Sequence, residues 1–206
     1  MKKIFTGFLV MTICISGFTS CTSDDILENE KPLKSYELTE LRWKLDQNDG
    51  QTIIEEPLPG LYFRNESDTI IPIVIEPLKD LKGSSKFTFN DSLTFNELHF
   101  SEVQVSIPKE IELLSENYSY LVGGQKVFLG LEEATFPFSW NIKDSISLHQ
   151  KSELNYNCTV FLKQNKASFV ATFRETTTRE TIELDGTWTG IFFNNLTDIS
   201  VIKSIE

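Results

Sequence analysis

Residues Ser84 to Ile107 read SSKFTFNDSLTFNELHFSEVQVSI. Phe87 and Phe89 fall on one side of an extended chain, Leu93 and Phe95 repeat that spacing, and Val103, Val105 and Ile107 repeat it again. Ser, Thr, Asn, Glu and Gln fill many of the places between. Side chains of a strand alternate between two faces, so a period of two with one polar face predicts antiparallel strands half covered by a core. The phase slips near Asn90-Asp91 and Asn96-Glu97, residues that suit turns or bulges. Pro108 predicts the end of the segment.

The same reading extends outward. Leu38, Leu41, Trp43 and Leu45 lead to Asn48-Asp49-Gly50, a hairpin signal before Gln51-Thr52-Ile53-Ile54. Pro72 inside the β-branched run from Thr69 to Ile75 predicts an edge strand or a bulge. Lys109 to Ser115 suits a short helix or a further strand, with the strand preferred, Gly123-Gly124 reads as a turn, and Thr135 to Trp140 as an extended aromatic stretch. Asn155 to Leu162 alternates, Ser168 to Phe173 and Thr176 to Leu184 read as a strand pair, and Asp185-Gly186 as a turn. About ten to thirteen short strands at roughly 8–12-residue intervals predict an all-β chain, either an elongated antiparallel sheet or a β-sandwich. One domain over residues 36–206 accommodates them.

The first residues carry a different signal. Lys2 and Lys3 precede an uncharged apolar run from Ile4 to Phe18, and Phe18-Thr19-Ser20-Cys21 follows. The run is shorter than the roughly 20 apolar residues of a membrane span, and no A-x-A-like cleavage site follows it. This arrangement resembles the signal peptide of a bacterial lipoprotein. The resemblance implies that residues 1–20 are removed, that Cys21 carries the lipid, and that residues 21–35 form a flexible tether. Several acyl chains anchor stably where one does not. Cys21-Thr22-Ser23-Asp24-Asp25 resembles the surface-export signal of Bacteroidota lipoproteins, with Ser23, Asp24 and Asp25 as its residues. Asp68-Thr69-Ile70, Asp91-Ser92-Leu93 and Asp144-Ser145-Ile146 resemble the O-glycosylation tripeptides of the same bacteria, with Thr69, Ser92 and Ser145 as acceptors. Together these imply a lipid-anchored protein of the outer membrane, facing the cell exterior.

Composition narrows the chemistry. The 206 residues carry a formal net charge of −11, the wrong sign for a nucleic-acid partner, whose phosphates require a basic footprint. Acidity suits cationic ligands, or sugars bound through their hydroxyls. With Cys14 inside the apolar run and Cys21 lipidated, Cys158 has no partner for an intrachain disulfide and reads as a small buried hydrophobe. His99 and His149 are the two histidines, and no zinc-protease, nucleophile-elbow or phosphate-loop motif accompanies them. Glu55-Glu56 and Glu132-Glu133 are adjacent carboxylates in expected turns. The expectation is a non-enzymatic protein without metal or cofactor, binding a glycan or an outer-membrane protein partner. Trp43, Trp140 and Trp188 lie in alternating segments that suit a core. Tyr118, Tyr120 and Trp140 are the candidate ligand-binding aromatics.

The order of a short polar Asn65-Glu66-Ser67-Asp68 segment, a Ser/Thr-rich alternating stretch, Ile146 to Leu162, and a closing Gly186-Thr187-Trp188-Thr189-Gly190 is similar to the aerolysin-like family that includes the epsilon-toxin and mosquitocidal-toxin group. The resemblance implies an elongated all-β molecule whose amphipathic hairpin refolds into an oligomeric pore. It places that insertion hairpin at Ser84–Ile107, which is short for strands of about 9–11 residues that span a bilayer and carries Phe on what should be a regular face.

Overall fold

The computed structural model describes residues 33–44, 46–114 and 117–205, without the side chains of 112–122 and 124. The predicted signal peptide and most of the tether lie outside the described residues. Two strands organise the rest. β11 (Ser152–Glu175) and β12 (Thr181–Ser204) are each 24 residues long and pair antiparallel from Ser152↔Ser204 to Arg174↔Thr181. At roughly 3.3 Å per residue each follows about 80 Å of path. Their connection is held from within: the Glu175 carboxylate accepts from the backbone N–H groups of Thr178 and Thr177, which holds it down at about 2. Arg179 takes the left-handed conformation, φ 66°.

The chain wraps this pair. β1 (Ser35–Lys44), β2 (Gly50–Pro57) and β3 (Leu61–Asn65) run one after another along the same edge of β11, opposite residues 175–168, 166–159 and 156–152. Asp49-Gly50 is therefore not the hairpin turn expected of it. It lies in a loop-out between collinear strands, because the buried Asp49 carboxylate accepts from Ser168 N at 2.7 Å, from Ser168 Oγ at 3.2 Å and from Asp46 N at 2.9 Å. On the far side, β5 (Lys82–Phe89) pairs with β12 at 186–191, and β9 (Ala134–Pro137) pairs with β5. Asp185-Gly186 is also not a turn; it continues β12, and a Cβ at Gly186 would strike the Phe169 ring and the Thr88 carbonyl. The two-residue β6 (His99–Phe100) adds to β1 in parallel. β4 (Ile71–Ile75) and β10 (Asp144–Leu148) form a separate two-stranded sheet, which gives Pro72 the two-stranded setting that its missing N–H demands.

Alternation along β11 explains where the cores sit. Leu154, Tyr156, Cys158, Val160 and Leu162 belong to one buried cluster; Ala167, Phe169, Ala171 and Phe173 belong to another. The first set is even-numbered and the second odd-numbered, so the two halves of the strand bury opposite faces. The second cluster is aromatic: Trp188 is fully buried, its Nε1 donates to Ser85 Oγ at 2.8 Å, and its ring meets Trp43 edge-on at 5.6 Å.

The stretch that predicted an insertion hairpin is dismantled by this topology. Ser84 to Phe89 lies inside the large sheet between β12 and β9, and α1 (Ser92–Glu97) follows as a short helix. Asp91 caps that helix, accepting from Thr94 N at 2.9 Å and Thr94 Oγ1 at 2.6 Å. Phe95 and Leu98, three residues apart, both turn inward. A spacing of three, with a capping carboxylate, outcompetes the period of two that Leu93 and Phe95 suggested. Ser84–Ile107 is not a hairpin. The third sheet is: β7 (Gln104–Leu114) pairs with β8 (Asn117–Phe128) and, among the described residues, with no other strand. Pro108 does not end β7, and Gly123-Gly124 is not its turn. The register slips on both sides of Pro108, and the glycines form a bulge opposite it, with Gly123 at φ 144°.

Candidate functional site

The β7–β8 hairpin rests across the middle of β11, where the two cores change faces. Val105, Ile107 and Ile111 on β7, with Val127 on β8, turn into the aromatic cluster. Gln104 and Lys109 turn outward. Two polar contacts reach the hairpin from β11. Lys163 Nζ meets Glu110 Oε2 at 2.7 Å, with the lysine side chain 13% exposed and the glutamate 34%. Two residues on, on the same face, Asn165 is fully buried and its Nδ2 donates to the Lys109 carbonyl at 3.1 Å. The Asn165 Oδ1 meets no donor among the described residues.

Clefts open on either side of this seam. One, of about 580 Å³, lies between the hairpin and the segment Phe136–Trp140, with Phe192, Phe193 and Asn194 of β12 also lining it. Trp140, 65% exposed, stands at this cleft. The other, of about 530 Å³, separates Ile111 from Asn48–Thr52, Gln164 and Lys166.

The expected site residues scatter around this arrangement. Trp140 reaches the cleft, whereas Trp43 and Trp188 are core. Tyr118 and Tyr120 lie on β8 outside the described side chains, opposite Leu113 and Ile111. Thr69, Ser92 and Ser145 are exposed; Thr69 precedes β4 and Ser145 lies on its partner β10, whereas Ser92 opens α1. Ser92 has a structural account as well, since its tripeptide is the capped start of α1. Cys21, Ser23, Asp24 and Asp25 lie outside the described residues. Cys158 is buried beside Tyr156, and burial pushes its thiol up. His99 and His149 are exposed on β6 and after β10. Glu55 and Glu56 sit in β2 rather than in a turn and face opposite sides. No group of three or more His, Cys, Asp or Glu converges among the described residues.

No motif in the sequence singles out Lys163, Asn165 and Glu110. Their signal was present: two polar side chains at i and i+2 on the face of β11 that goes on to bury Ala167 and Phe169, and a proline and a glycine pair that fall at the same level of one hairpin.

No protein-family model and no curated protein matches the sequence. Solved structures do. The lamprey immune protein aligns with a TM-score of 0.51 at 12% identity, over 83% of this chain and 54% of that one. This chain therefore spans about half of that protein's length, and the likeness is one of fold. The parasporin-2 toxin of Bacillus thuringiensis, whose structure is described as recognising cancer cells, aligns with a TM-score of 0.40 at 13% identity over 82% of this chain and 75% of its own. An aerolysin-like protein from Bombina maxima aligns with a TM-score of 0.31 at 10% identity over 82% and 97%.

Proposed function

We propose that this chain is a lipid-tethered, non-enzymatic protein of the outer-membrane surface that acts on a target membrane by inserting the β7–β8 hairpin, in the manner of aerolysin-like proteins. One observation carries the reading: the hairpin is a sheet of its own, with strands of 11 and 12 residues. A bilayer-spanning barrel strand needs about 9–11 residues. Up to Pro108 its faces alternate, with Val105 and Ile107 buried and Gln104 exposed; past the register slip Lys109 is exposed and Ile111 buried. A barrel wall requires one lipid-facing and one lumen-facing side. While docked, the hairpin hides its apolar face in the aromatic cluster, so the protein stays soluble on its tether until the seam opens. Among the described residues no helix is long and apolar enough to cross a membrane, so any crossing by them uses strands. The tether is assigned to Cys21, with Ser23, Asp24 and Asp25 directing export to the outer face and Thr69, Ser92 and Ser145 as glycan acceptors.

The test uses the full chain with Cys21→Ser, incubated with dye-loaded vesicles of several lipid compositions. Dye release with SDS-resistant oligomers is expected. A protein that stays monomeric and releases no dye from any composition would overturn insertion. Cys21→Ser should also leave membranes on sedimentation; a variant that still sediments with them contradicts the anchor.

A further inference from the structure

The cleft beside the hairpin has an arrangement that insertion alone does not use. Its volume of about 580 Å³ falls within the roughly 300–1,000 Å³ of small-molecule sites. Trp140 presents an exposed indole at its wall. The neutral hydrogen-bonding residues Ser139, Gln125 and Asn194 line the same cleft. Three charged residues also line it: Lys163 and Glu110 neutralise each other at 2.7 Å, and the Lys109 side chain is exposed to solvent. An aromatic face with neutral donors and acceptors fits a ring that is apolar on its faces and hydroxylated at its rim. The chain's net charge of −11 disfavours an anionic occupant. We propose that this cleft binds a neutral hexopyranose stacked on Trp140, and that its occupancy holds the hairpin against the sheet.

The second half follows from which elements build the walls. Glu110 and Gln125 belong to the hairpin, whereas Trp140, Asn194 and Lys163 belong to the scaffold. A ligand touching both walls binds the docked state and finds half a site in the released one. By linkage, binding then favours docking in proportion to its differential affinity. The coupling rests on the insertion reading above; the sugar site does not.

The test is saturation-transfer NMR on full-length Cys21→Ser chain with the methyl glycosides of glucose, galactose, mannose and N-acetylglucosamine, with methyl glucuronide as the acidic comparator. At least one neutral glycoside is expected to bind saturably, with its ring C–H protons nearest the protein, and methyl glucuronide at least tenfold more weakly. Trp140→Ala should weaken binding tenfold or more, and Trp140→Phe should retain part of it. Amide exchange in residues 104–114 should slow at least threefold at saturating glycoside. No saturable binding by any neutral glycoside, or binding indifferent to Trp140→Ala, overturns the site. Binding that leaves hairpin exchange unchanged overturns the coupling. Vesicle leakage is read separately, so saturable sugar binding without leakage refutes insertion and not the sugar site.

Discussion

Replacing Lys163 by Met tests whether the hairpin is held by a local latch. The methionine keeps an apolar stem of similar length and removes the charge that meets Glu110 at 2.7 Å. Exposed ion pairs contribute about 0.2–1 kcal/mol, and breaking a buried one costs roughly 3–5 kcal/mol. With the lysine side chain 13% exposed and the glutamate 34%, this pair lies between the two, nearer the exposed limit, because Glu110 rehydrates when its partner goes. A loss of about 1.5 kcal/mol corresponds to roughly a tenfold change in an opening equilibrium. The assay is native-state hydrogen exchange, which resolves local opening from global unfolding. Amides of β7 and β8 should exchange about tenfold faster in Lys163→Met, while those of β12 facing β5, residues 186–191, keep wild-type protection. Adding Glu110→Gln should bring little further change, since the two act as one pair. Unchanged hairpin exchange would refute the latch. A uniform loss of protection across β11 and β12 would refute it differently, by making Lys163 part of the global core.

Other consequences are local. Gly186→Ala should destabilise the domain by about 1–3 kcal/mol in denaturant unfolding, because a methyl at Gly186 meets both the Phe169 ring and the Thr88 carbonyl. Asn65→Ala should cost about 1–3 kcal/mol in the same assay, since the Asn65 amide joins three carbonyls, those of Thr69, Leu148 and His149, and Ser67 donates to its oxygen. Glu175 titrates below its unfolded range, at about 2. Its contribution is complete above the unfolded carboxylate range, near 4.3, and disappears as pH falls toward 2. Glu175→Gln should therefore flatten the stability–pH curve across that window and leave its shape above pH 6 unchanged, as read by thermal unfolding.

The class of fold was legible because period-two alternation is a direct record of the pleat, and it survives wherever one face is buried. Phe87 and Phe89, Tyr156 to Leu162, and Phe169 to Phe173 all kept the phase that their spacing predicts. What failed was punctuation. Asp49-Gly50, Gly123-Gly124 and Asp185-Gly186 each read as a chain reversal, and none is one. Their glycines serve a loop-out, a bulge and a close approach, because Asp49 binds across to Ser168, Pro108 lacks a proton, and Phe169 crowds Gly186. Local residue preference cannot tell these uses from a turn; the partner across the strand decides. Two 24-residue strands were read as several short ones for a related reason. Burial along β11 passes from even to odd positions near Asn165, and that change of face looks like a break in the strand. The candidate site was less legible. Trp140 was identifiable as an aromatic near polar residues, but Lys163 and Glu110 lie 53 residues apart and acquire meaning only when β7 is laid over β11.

The change of face also explains why the hairpin belongs where it does. Between Leu162, the last residue of one cluster, and Ala167, the first β11 residue of the other, β11 must be covered on a face for which neither flanking core provides a full partner. An apolar residue there would bind its cover permanently. Lys163 and Asn165 occupy that place instead, and both remain able to hydrate if the cover leaves. The apolar contacts of Val105, Ile107 and Ile111 with the aromatic cluster keep the hairpin docked, and Lys163 and Asn165 are the positions of the seam that water can solvate if it opens. If the hairpin is released as proposed above, the polar gap at the centre of β11 hydrates while the cluster at Leu154–Leu162, to which the hairpin contributes no residue, stays closed. That division of labour is what a protein needs if it is to wait in a soluble form and then commit a hairpin to a membrane.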